Sequence, residues 1–260
     1  AGSNPLLRDT DGDGLNDGIE DANHDGVFDP TTETNPLARD SDRDGIPDGT
    51  EDQNLNGRLD FPETDPRKYD TDEDGLSDSQ EDKNLDGIRQ GSELNPRLAD
   101  SDADGLPDGL EDRNRNGVLD LNETDPLSSD SDADGLLDGT EDANLNGRHD
   151  AHESNPLLQD SDGDGLMDGE EDVNADGVQQ TDETSPIRSD SDDDGLEDGQ
   201  ELGVSFTGIE GDPTDPLDWD SDDDGLSDGI EIQSSNPTDP NNPDSDGDGL
   251  SDSVETNTGI

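Results

Sequence analysis

The sequence predicts an irregular, elongated tandem repeat with little regular secondary structure, and three observations support this fold class. Only 21% of the 260 residues are hydrophobic and 2% are aromatic, too few for an ordinary core. The formal net charge is −64, which by itself is typical of a disordered polyanion. However, the acids recur in a fixed twelve-residue pattern, mostly 30 residues apart, and this order favours a folded repeat.

Nine copies of the pattern, here called acidic loops 1 to 9, have Asp at positions 1, 3, 5 and 9, Gly at 6 and Glu at 12. This is the spacing of an EF-hand calcium loop, in which alternate side chains, the carbonyl of position 7 and the closing Glu bind the ion. The predicted ligands, with Leu or Ile acting through its carbonyl, are Asp9, Asp11, Asp13, Leu15, Asp17, Glu20; Asp40, Asp42, Asp44, Ile46, Asp48, Glu51; Asp70, Asp72, Asp74, Leu76, Asp78, Glu81; Asp100, Asp102, Asp104, Leu106, Asp108, Glu111; Asp130, Asp132, Asp134, Leu136, Asp138, Glu141; Asp160, Asp162, Asp164, Leu166, Asp168, Glu171; Asp190, Asp192, Asp194, Leu196, Asp198, Glu201; Asp220, Asp222, Asp224, Leu226, Asp228, Glu231; and Asp244, Asp246, Asp248, Leu250, Asp252, Glu255.

A second loop follows directly on each of the first six acidic loops, and we call these mild loops 1 to 6. They have Asn at position 3 and Asn or Asp at position 5, so they carry fewer carboxylates, and each is predicted to bind a single ion. The predicted ligands are Asp21, Asn23, Asp25, Val27, Asp29, Glu33; Asp52, Asn54, Asn56, Arg58, Asp60, Glu63; Asp82, Asn84, Asp86, Ile88, Glu93; Asp112, Asn114, Asn116, Val118, Asp120, Glu123; Asp142, Asn144, Asn146, Arg148, Asp150, Glu153; and Asp172, Asn174, Asp176, Val178, Glu183.

The segments between the loops leave no room for the helices that flank a true EF-hand loop. Glu20 is followed at once by Asp21, and the linkers between repeats have six residues with Pro third. We therefore expect short helical turns at the loop ends, extended linkers and no strand. The predicted repeats are 3–33, 34–63, 64–93, 94–123, 124–153, 154–183, a variant with a spacer insert at 184–219, a short repeat at 220–243 and a truncated last repeat at 244–260.

The carboxylates predict calcium rather than another metal. Of the 77 Asp and Glu, 64 stand at the ligand positions, and the oxygen-only donor set disfavours zinc and copper, while flexible loops disfavour magnesium. Five carboxylates around one dication repel one another, which predicts further ions shared at junctions such as Glu20–Asp21. The expected total is therefore more than one ion for each of the fifteen loops.

Tandem DSDxDGLxDGxE loops without helices, joined by Asn-Pro or Asp-Pro linkers, resemble thrombospondin type 3 repeats in a bacterial, cysteine-free form. The resemblance covers residues 3 to 255, and the acidic loops carry it most strongly. It implies a chain that winds around a string of calcium ions and folds only with the metal. The family's animal members add disulfides, whereas this chain has no Cys.

Several functions are excluded or left open by the composition. The negative charge argues against nucleic-acid binding, no apolar run is long enough for membrane insertion, and no nucleophile–base arrangement predicts an enzyme. His149 and His152 suggest a zinc site only superficially, because Glu153 already closes a predicted calcium loop. The pattern is cut at both ends, which suggests a segment of a longer protein.

The expected function is that of a calcium-stiffened stalk, spacer or fibre of an extracellular or cell-surface protein. Extracellular modules of this kind bind calcium at roughly 10⁻⁴ to 10⁻³ M, so they would be empty in the cytosol. The alternatives are an adhesin that binds partners through the Gly203–Trp219 insert, a self-assembling filament subunit and a calcium buffer. Partners besides calcium would be further copies of the chain or adjacent domains. Small apolar contacts are expected from the position-7 residues, from Phe206 and Trp219, and from the linker residues Leu6, Leu37, Leu127, Leu157, Ile187 and Leu217.

Overall fold

A computed structural model describes residues 2–203 and 213–258, most of which form turns, bends and irregular backbone. Within these two ranges there is no strand, and every helix begins at position 9 of an acidic loop. The expectation of little regular secondary structure is confirmed, as are the short helical turns at the loop ends. The helices are α1 Asp17–Glu20, α2 Asp48–Glu51, α3 Asp78–Glu81, α4 Asp108–Glu111, α5 Asp138–Glu141, α6 Asp168–Glu171, α7 Asp198–Glu201, α8 Asp228–Gln233 and α9 Asp252–Thr258.

Each acidic loop is shaped by bonds from its own backbone to its own carboxylates, as acidic loop 2 illustrates. Asp40 accepts hydrogen bonds from the amides of Arg43 at 2.6 Å and Gly45 at 3.1 Å, and Asp44 accepts one from the Ile46 amide at 2.7 Å. Short Asp side chains favour such turns because they reach amides two or three residues further on. Gly45 has a φ of 114°, a conformation open to glycine and strained for other residues, which accounts for the glycine at position 6.

A hydroxyl residue at position 2 ties the linker, the loop and the helix together. The amide and hydroxyl of Ser41 donate to the two carboxylate oxygens of Asp48 at 2.7 and 2.6 Å. The same hydroxyl oxygen accepts the amide of Asn35 in the preceding linker at 2.7 Å, and the Asp48 amide donates to the Arg39 carbonyl at 3.1 Å. The first residue of α2 is thus held on both its backbone and its side chain.

Consecutive acidic loops contact each other within each compact part of the chain. The amide of Gly109 donates to the Asp74 carboxylate at 3.0 Å, and that of Gly199 donates to Asp164 at 2.9 Å. In both cases position 10 of one loop meets position 5 of the loop before it, 35 residues earlier. The repeats therefore join through their acidic loops as well as through the linkers.

The mild loops supply a second set of contacts between repeats. The side-chain amide of Gln53 donates to the carbonyl of Gly87, the position-6 glycine of the next mild loop. Arg97 donates to the Asp60 carbonyl at 3.1 Å, and its guanidinium carbon lies 5.3 Å from the centroid of the Phe61 ring. These contacts again join residues that are one repeat apart.

The buried apolar residues are mostly those at position 7 of the acidic loops. Their side chains are at most 6% exposed in the first seven acidic loops, as expected: Leu15, Ile46, Leu76, Leu106, Leu136, Leu166 and Leu196. The expectation for the linkers was wrong, because their apolar side chains are 36 to 91% exposed: Leu6, Leu37, Leu127, Leu157, Ile187 and Leu217. A linker that runs along the surface leaves its side chains in solvent, whereas position 7 points into the loop.

The described chain forms two compact units, one of Ala1–Ser129 with Leu145–Gly147 and one of Asp130–Asn144 with Arg148–Ile260. The nine repeat boundaries remain a prediction from the sequence. Most of the insert that suggested an adhesin, including Phe206, lies outside the described residues, and Trp219 at its end is 44% exposed. No helix in the described ranges is long and apolar enough to cross a membrane.

The contact between acidic loops predicts that position 10 tolerates only small residues. A Cβ atom added to Gly109 would lie 2.4 Å from the Asp74 carbonyl oxygen, so Gly109→Ala should destabilise the calcium-loaded protein by about 1 to 3 kcal/mol. Gly109→Ser should cost less, because Ser79 and Ser253 occupy this position and donate to the facing carbonyl, in the latter case at 2.6 Å. The measurement is hydrogen exchange of residues 70–111 in calcium.

The matched control for this prediction is Gly18→Ala, at position 10 of acidic loop 1. An added Cβ there meets nothing within 4 Å, and Ala favours a helix over Gly by about 1 kcal/mol, so this variant should be neutral or stabilising. Equal effects of the two alanine substitutions would show that the contact between acidic loops contributes nothing to stability.

Candidate metal centre

Positions 1, 3 and 5 of the acidic loops bring three carboxylates together. Asp40, Asp42 and Asp44 each offer an oxygen within 4.8 Å of the other two, and the same holds for positions 9, 11 and 13 and for 70, 72 and 74. Alternation of side chains along the tight turn produces this arrangement, since the residues between them point away. These residues form the first of two kinds of cluster.

The second kind of cluster joins two repeats. Asp13 and Glu20, at positions 5 and 12 of acidic loop 1, lie within 4.8 Å of Asp48, at position 9 of acidic loop 2. Asp74, Glu81 and Asp108 repeat the arrangement between acidic loops 3 and 4. The sequence alone assigned each position-9 Asp to its own loop, whereas the structure also places Asp48 and Asp108 beside the carboxylates of the preceding loop.

Many buried oxygens of these clusters have no hydrogen-bond partner. Among the described residues, the buried side-chain oxygens without one all belong to acidic loops, mostly at positions 3 and 12. Glu20, Glu81 and Glu141 leave both carboxylate oxygens unpartnered, although each is at most 2% exposed. A buried carboxylate without a partner costs several kcal/mol, so these side chains fit a site that a cation completes.

Burial among like charges raises the pKa values of these acids. Burial first, and then the charges of Asp13, Asp11, Asp48 and Asp17, raise the pKa of Glu20 to about 8. Burial and the neighbouring Asp residues likewise raise the pKa of Glu81 to about 10 and that of Asp42, at position 3, to about 7. All the charges that act most strongly on Glu20 are negative. A bound dication would lower these pKa values and remove the repulsion.

The donor atoms of the clusters fit calcium by their chemistry. In the clusters named above every side-chain donor is a carboxylate, and calcium takes six to eight oxygen ligands from carboxylates, carbonyls and water. Zinc and copper prefer sulfur or imidazole nitrogen, which these clusters do not offer. The Asp residues at positions 1 and 5 accept backbone amides, which orients them and leaves further lone pairs for an ion.

The predicted ligands of the mild loops also come together, but the chain's own amides occupy their carboxylates. Glu63 accepts from the backbone and side-chain nitrogens of Asn54 at 3.0 and 2.7 Å and from the amide of Asp60 at 3.0 Å. The side chain of Asn56 donates to Asp60 at 2.7 Å. Among described residues, none of the buried oxygens without a partner lies in a mild loop. The mild loops therefore hold their shape with hydrogen bonds that the acidic loops lack.

Two positions that support the clusters were missed in the sequence. Position 2 is Ser or Thr in all nine acidic loops, and position 10 is Gly or Ser in all nine. Alignment of the nine copies shows both residue preferences. The EF-hand pattern does not point to them, because neither position carries a ligand in it. Their roles, bonding to the position-9 Asp and permitting close contact between loops, depend on neighbours that a single loop does not reveal.

Comparisons with protein-family models, with curated proteins and with solved structures find no match for this chain. The resemblance to thrombospondin type 3 repeats therefore stays a hypothesis that rests on the residues themselves. The geometry establishes clusters of Asp and Glu that could hold a metal ion.

The raised pKa values predict that the free energy of unfolding depends on pH in opposite directions without and with calcium. In chelator, folded Glu20 binds a proton up to a pH of about 8, whereas an unfolded Glu loses it near 4.5, so the folded state holds more protons between these values. The free energy of unfolding must therefore fall as pH rises through this window. The protection factors of residues 9–20, which correct exchange for its intrinsic base catalysis, should be higher at pH 5 than at pH 8.

Calcium binding should reverse this trend, because the ion displaces those protons and binds more tightly at pH 8. Calorimetry in buffers of different ionisation enthalpy measures the protons released. Glu20→Gln should release fewer protons at pH 7 than the unaltered chain. Proton release that is zero at pH 7 in both proteins would contradict the assignment.

Proposed function

We propose that the chain is a calcium-binding structural segment, a stalk, spacer or fibre, of an extracellular or cell-surface protein. In this proposal the repeats are of the thrombospondin type 3 kind and bound calcium stabilises them. The carboxylates of the nine acidic loops would hold the ions, with Glu at position 12 closing each site. The six mild loops would be weaker sites, since a residue such as Asn54 must first exchange its hydrogen bond to Glu63 for the ion.

The single observation that supports this proposal best is the set of buried carboxylate oxygens without a partner at positions 3 and 12. Acids in an ordinary solvated turn would point outward and gain water. Here Glu51, Glu81 and Glu111 are at most 1% exposed, which is unfavourable for three anions unless protons or cations neutralise them. The arrangement recurs from repeat to repeat, so the need for cations is built into the whole array.

The free energy that calcium binding would add to folding favours a compartment rich in calcium. A site whose dissociation constant is one tenth of the free calcium concentration adds about 1.4 kcal/mol to folding. Nine such sites would add roughly 13 kcal/mol, comparable with the whole stability of a typical domain. At extracellular calcium the array would be folded, and at cytosolic calcium its sites would be empty.

A structural role is favoured over a calcium sensor by the form of the helices. Sensors swing long helices apart to expose an apolar groove, whereas α1 to α7 have four residues each. Repeats that mainly contact their neighbours can be added without changing existing contacts, which suits a spacer of adjustable length.

Two adjacent glutamates in α6 allow a matched test. Glu171, at position 12, is 1% exposed, whereas Glu170 beside it is exposed. Glu171→Gln should weaken calcium at its loop by about tenfold or more and lower the number of ions bound at a calcium level just sufficient for the unaltered chain. Glu170→Gln should leave that number unchanged. Equilibrium dialysis with metal analysis gives the ion count.

A broader measurement tests whether calcium stabilises the fold at all. Calcium should slow hydrogen exchange throughout the acidic loops, and a chelator should reverse the effect, because the ions supply the cohesion that the few buried apolar side chains cannot. Exchange that is equally slow with and without calcium would refute the proposal.

A further inference from the structure

The contact between acidic loops 1 and 2 brings ligand-type side chains from two repeats into one place. Asp13 and Glu20 come from the first loop and Asp48 comes from the second, with oxygens within 4.8 Å of one another. Asp48 is fully buried, and both its carboxylate oxygens already bond to Ser41 in its own loop. These bonds hold the carboxylate against the preceding repeat.

Glu20 is the residue in this cluster that lacks a partner. It is 1% exposed, neither of its carboxylate oxygens has a hydrogen-bond partner, and one of its oxygens lies within 4.8 Å of oxygens of both Asp residues. At the junction of acidic loops 3 and 4, both oxygens of Glu81 are also buried without a partner. A buried, unpaired carboxylate at the same point of two junctions fits a cation ligand better than a local defect.

We propose that Asp48, at position 9 of acidic loop 2, completes the calcium site of acidic loop 1, and that Asp108 does the same for acidic loop 3. The site at a junction then consists of positions 5 and 12 of one loop and position 9 of the next. This inference rests on the proposed function and adds to it that the ions join repeats. It replaces the direct Glu20–Asp21 joint, which the sequence suggested, as the place where ions are shared.

The charges around Glu20 support this assignment of Asp48. Asp48 acts on Glu20 more strongly than Asp17 does, although Asp17 is position 9 of the same loop as Glu20. The same order holds at the other junction, where Asp108 of the next loop acts on Glu81 more strongly than Asp78 does. At both junctions the carboxylate of the following repeat thus adds to the negative charge around the closing Glu.

The small residue at position 10 permits this approach. Gly49 follows Asp48 directly, and an added Cβ would lie 2.6 Å from the Asp13 carbonyl oxygen. At the equivalent place Gly109 donates to Asp74 at 3.0 Å. The backbone contact and the carboxylate cluster thus form together. When the next repeat packs against this loop, its position-9 Asp is placed beside Asp13 and Glu20.

A shared site couples calcium binding to the packing of neighbouring repeats. A calcium ion bound in loop 1 would favour packing of loop 2 against loop 1. The packed loop 2 would in turn raise the calcium affinity of loop 1. Such nearest-neighbour coupling makes folding of an array more cooperative than independent loops allow.

The test measures the calcium concentration at which residues 9–20 become protected from hydrogen exchange in the full chain, with calcium as the only added ligand. Asp48→Asn should raise this midpoint about tenfold, as loss of a supporting ligand does in other metal sites. The double variant Glu20→Gln/Asp48→Asn should not exceed Glu20→Gln alone, because both substitutions disable one site.

Asp17→Asn is the matched control. Asp17 accepts the amide and hydroxyl of Thr10 at 2.7 and 2.6 Å, the same bonds that Asp48 makes with Ser41, and no acidic loop precedes it in the 260-residue chain. It should shift the midpoint of residues 9–20 less than Asp48→Asn does, although it lies within that segment. A larger shift from Asp17→Asn would overturn the proposal.

A variant at the junction of acidic loops 3 and 4 keeps the proposal testable if Asp48→Asn fails to fold. Asp108 accepts the Ser101 amide at 2.7 Å through one oxygen, and the side-chain oxygen of Asn can accept the same bond in Asp108→Asn. It should raise the calcium midpoint of residues 70–81.

The outcomes separate the two proposals. If the unaltered chain shows no calcium-dependent protection, the proposed function itself is wrong. If it does, but Asp48→Asn and Asp108→Asn shift only residues 40–51 and 100–111, their own loops, then calcium binds and only the shared site is refuted.

Discussion

Burial of carboxylates against other carboxylates is the constraint on which the rest of the structure depends. Glu20 is covered by its own loop and by Asp48 of the next, and the strongest charges acting on it are all negative. The repulsion among these carboxylates grows as the loops pack more closely, because packing removes the water that would screen the charges. The contacts between repeats and the repulsion among their carboxylates are therefore two consequences of one geometry.

The apolar residues define where the loops pack but are too few to hold them together. The position-7 side chain is the main buried apolar group of the first seven acidic loops, and those of Ile46 and Leu76 are 0% exposed. One such residue in 30 cannot offset the conformational entropy of the whole repeat. Hydrogen bonds from the loop backbone to Asp side chains set local shape, yet they too exchange against water and contribute modestly.

Local features could be predicted from the sequence, whereas contacts between repeats could not. The EF-hand spacing identifies the loop boundaries, and Asp17 and Glu20 do begin and end a helical turn. The pairing of Asp13 with Asp48 depends on which loops lie side by side, and nothing in one loop specifies its neighbour. Only the recurrence of a small residue such as Gly49 at position 10 hints at it. The linker side chain of Leu37 was expected to pack, but a Pro-bounded surface segment leaves it 47% exposed.

The two kinds of loop differ in how their carboxylates are satisfied. In a mild loop, Asn54 provides donors that Glu63 accepts, so this carboxylate has hydrogen-bond partners within its own loop. In an acidic loop, Asp replaces that Asn at position 3, the internal donor is lost, and Glu81 is left unpaired. Under the proposed function, the loss of the position-3 donor is what makes the acidic loops the stronger calcium sites, and the repulsion is concentrated where one acidic loop meets the next.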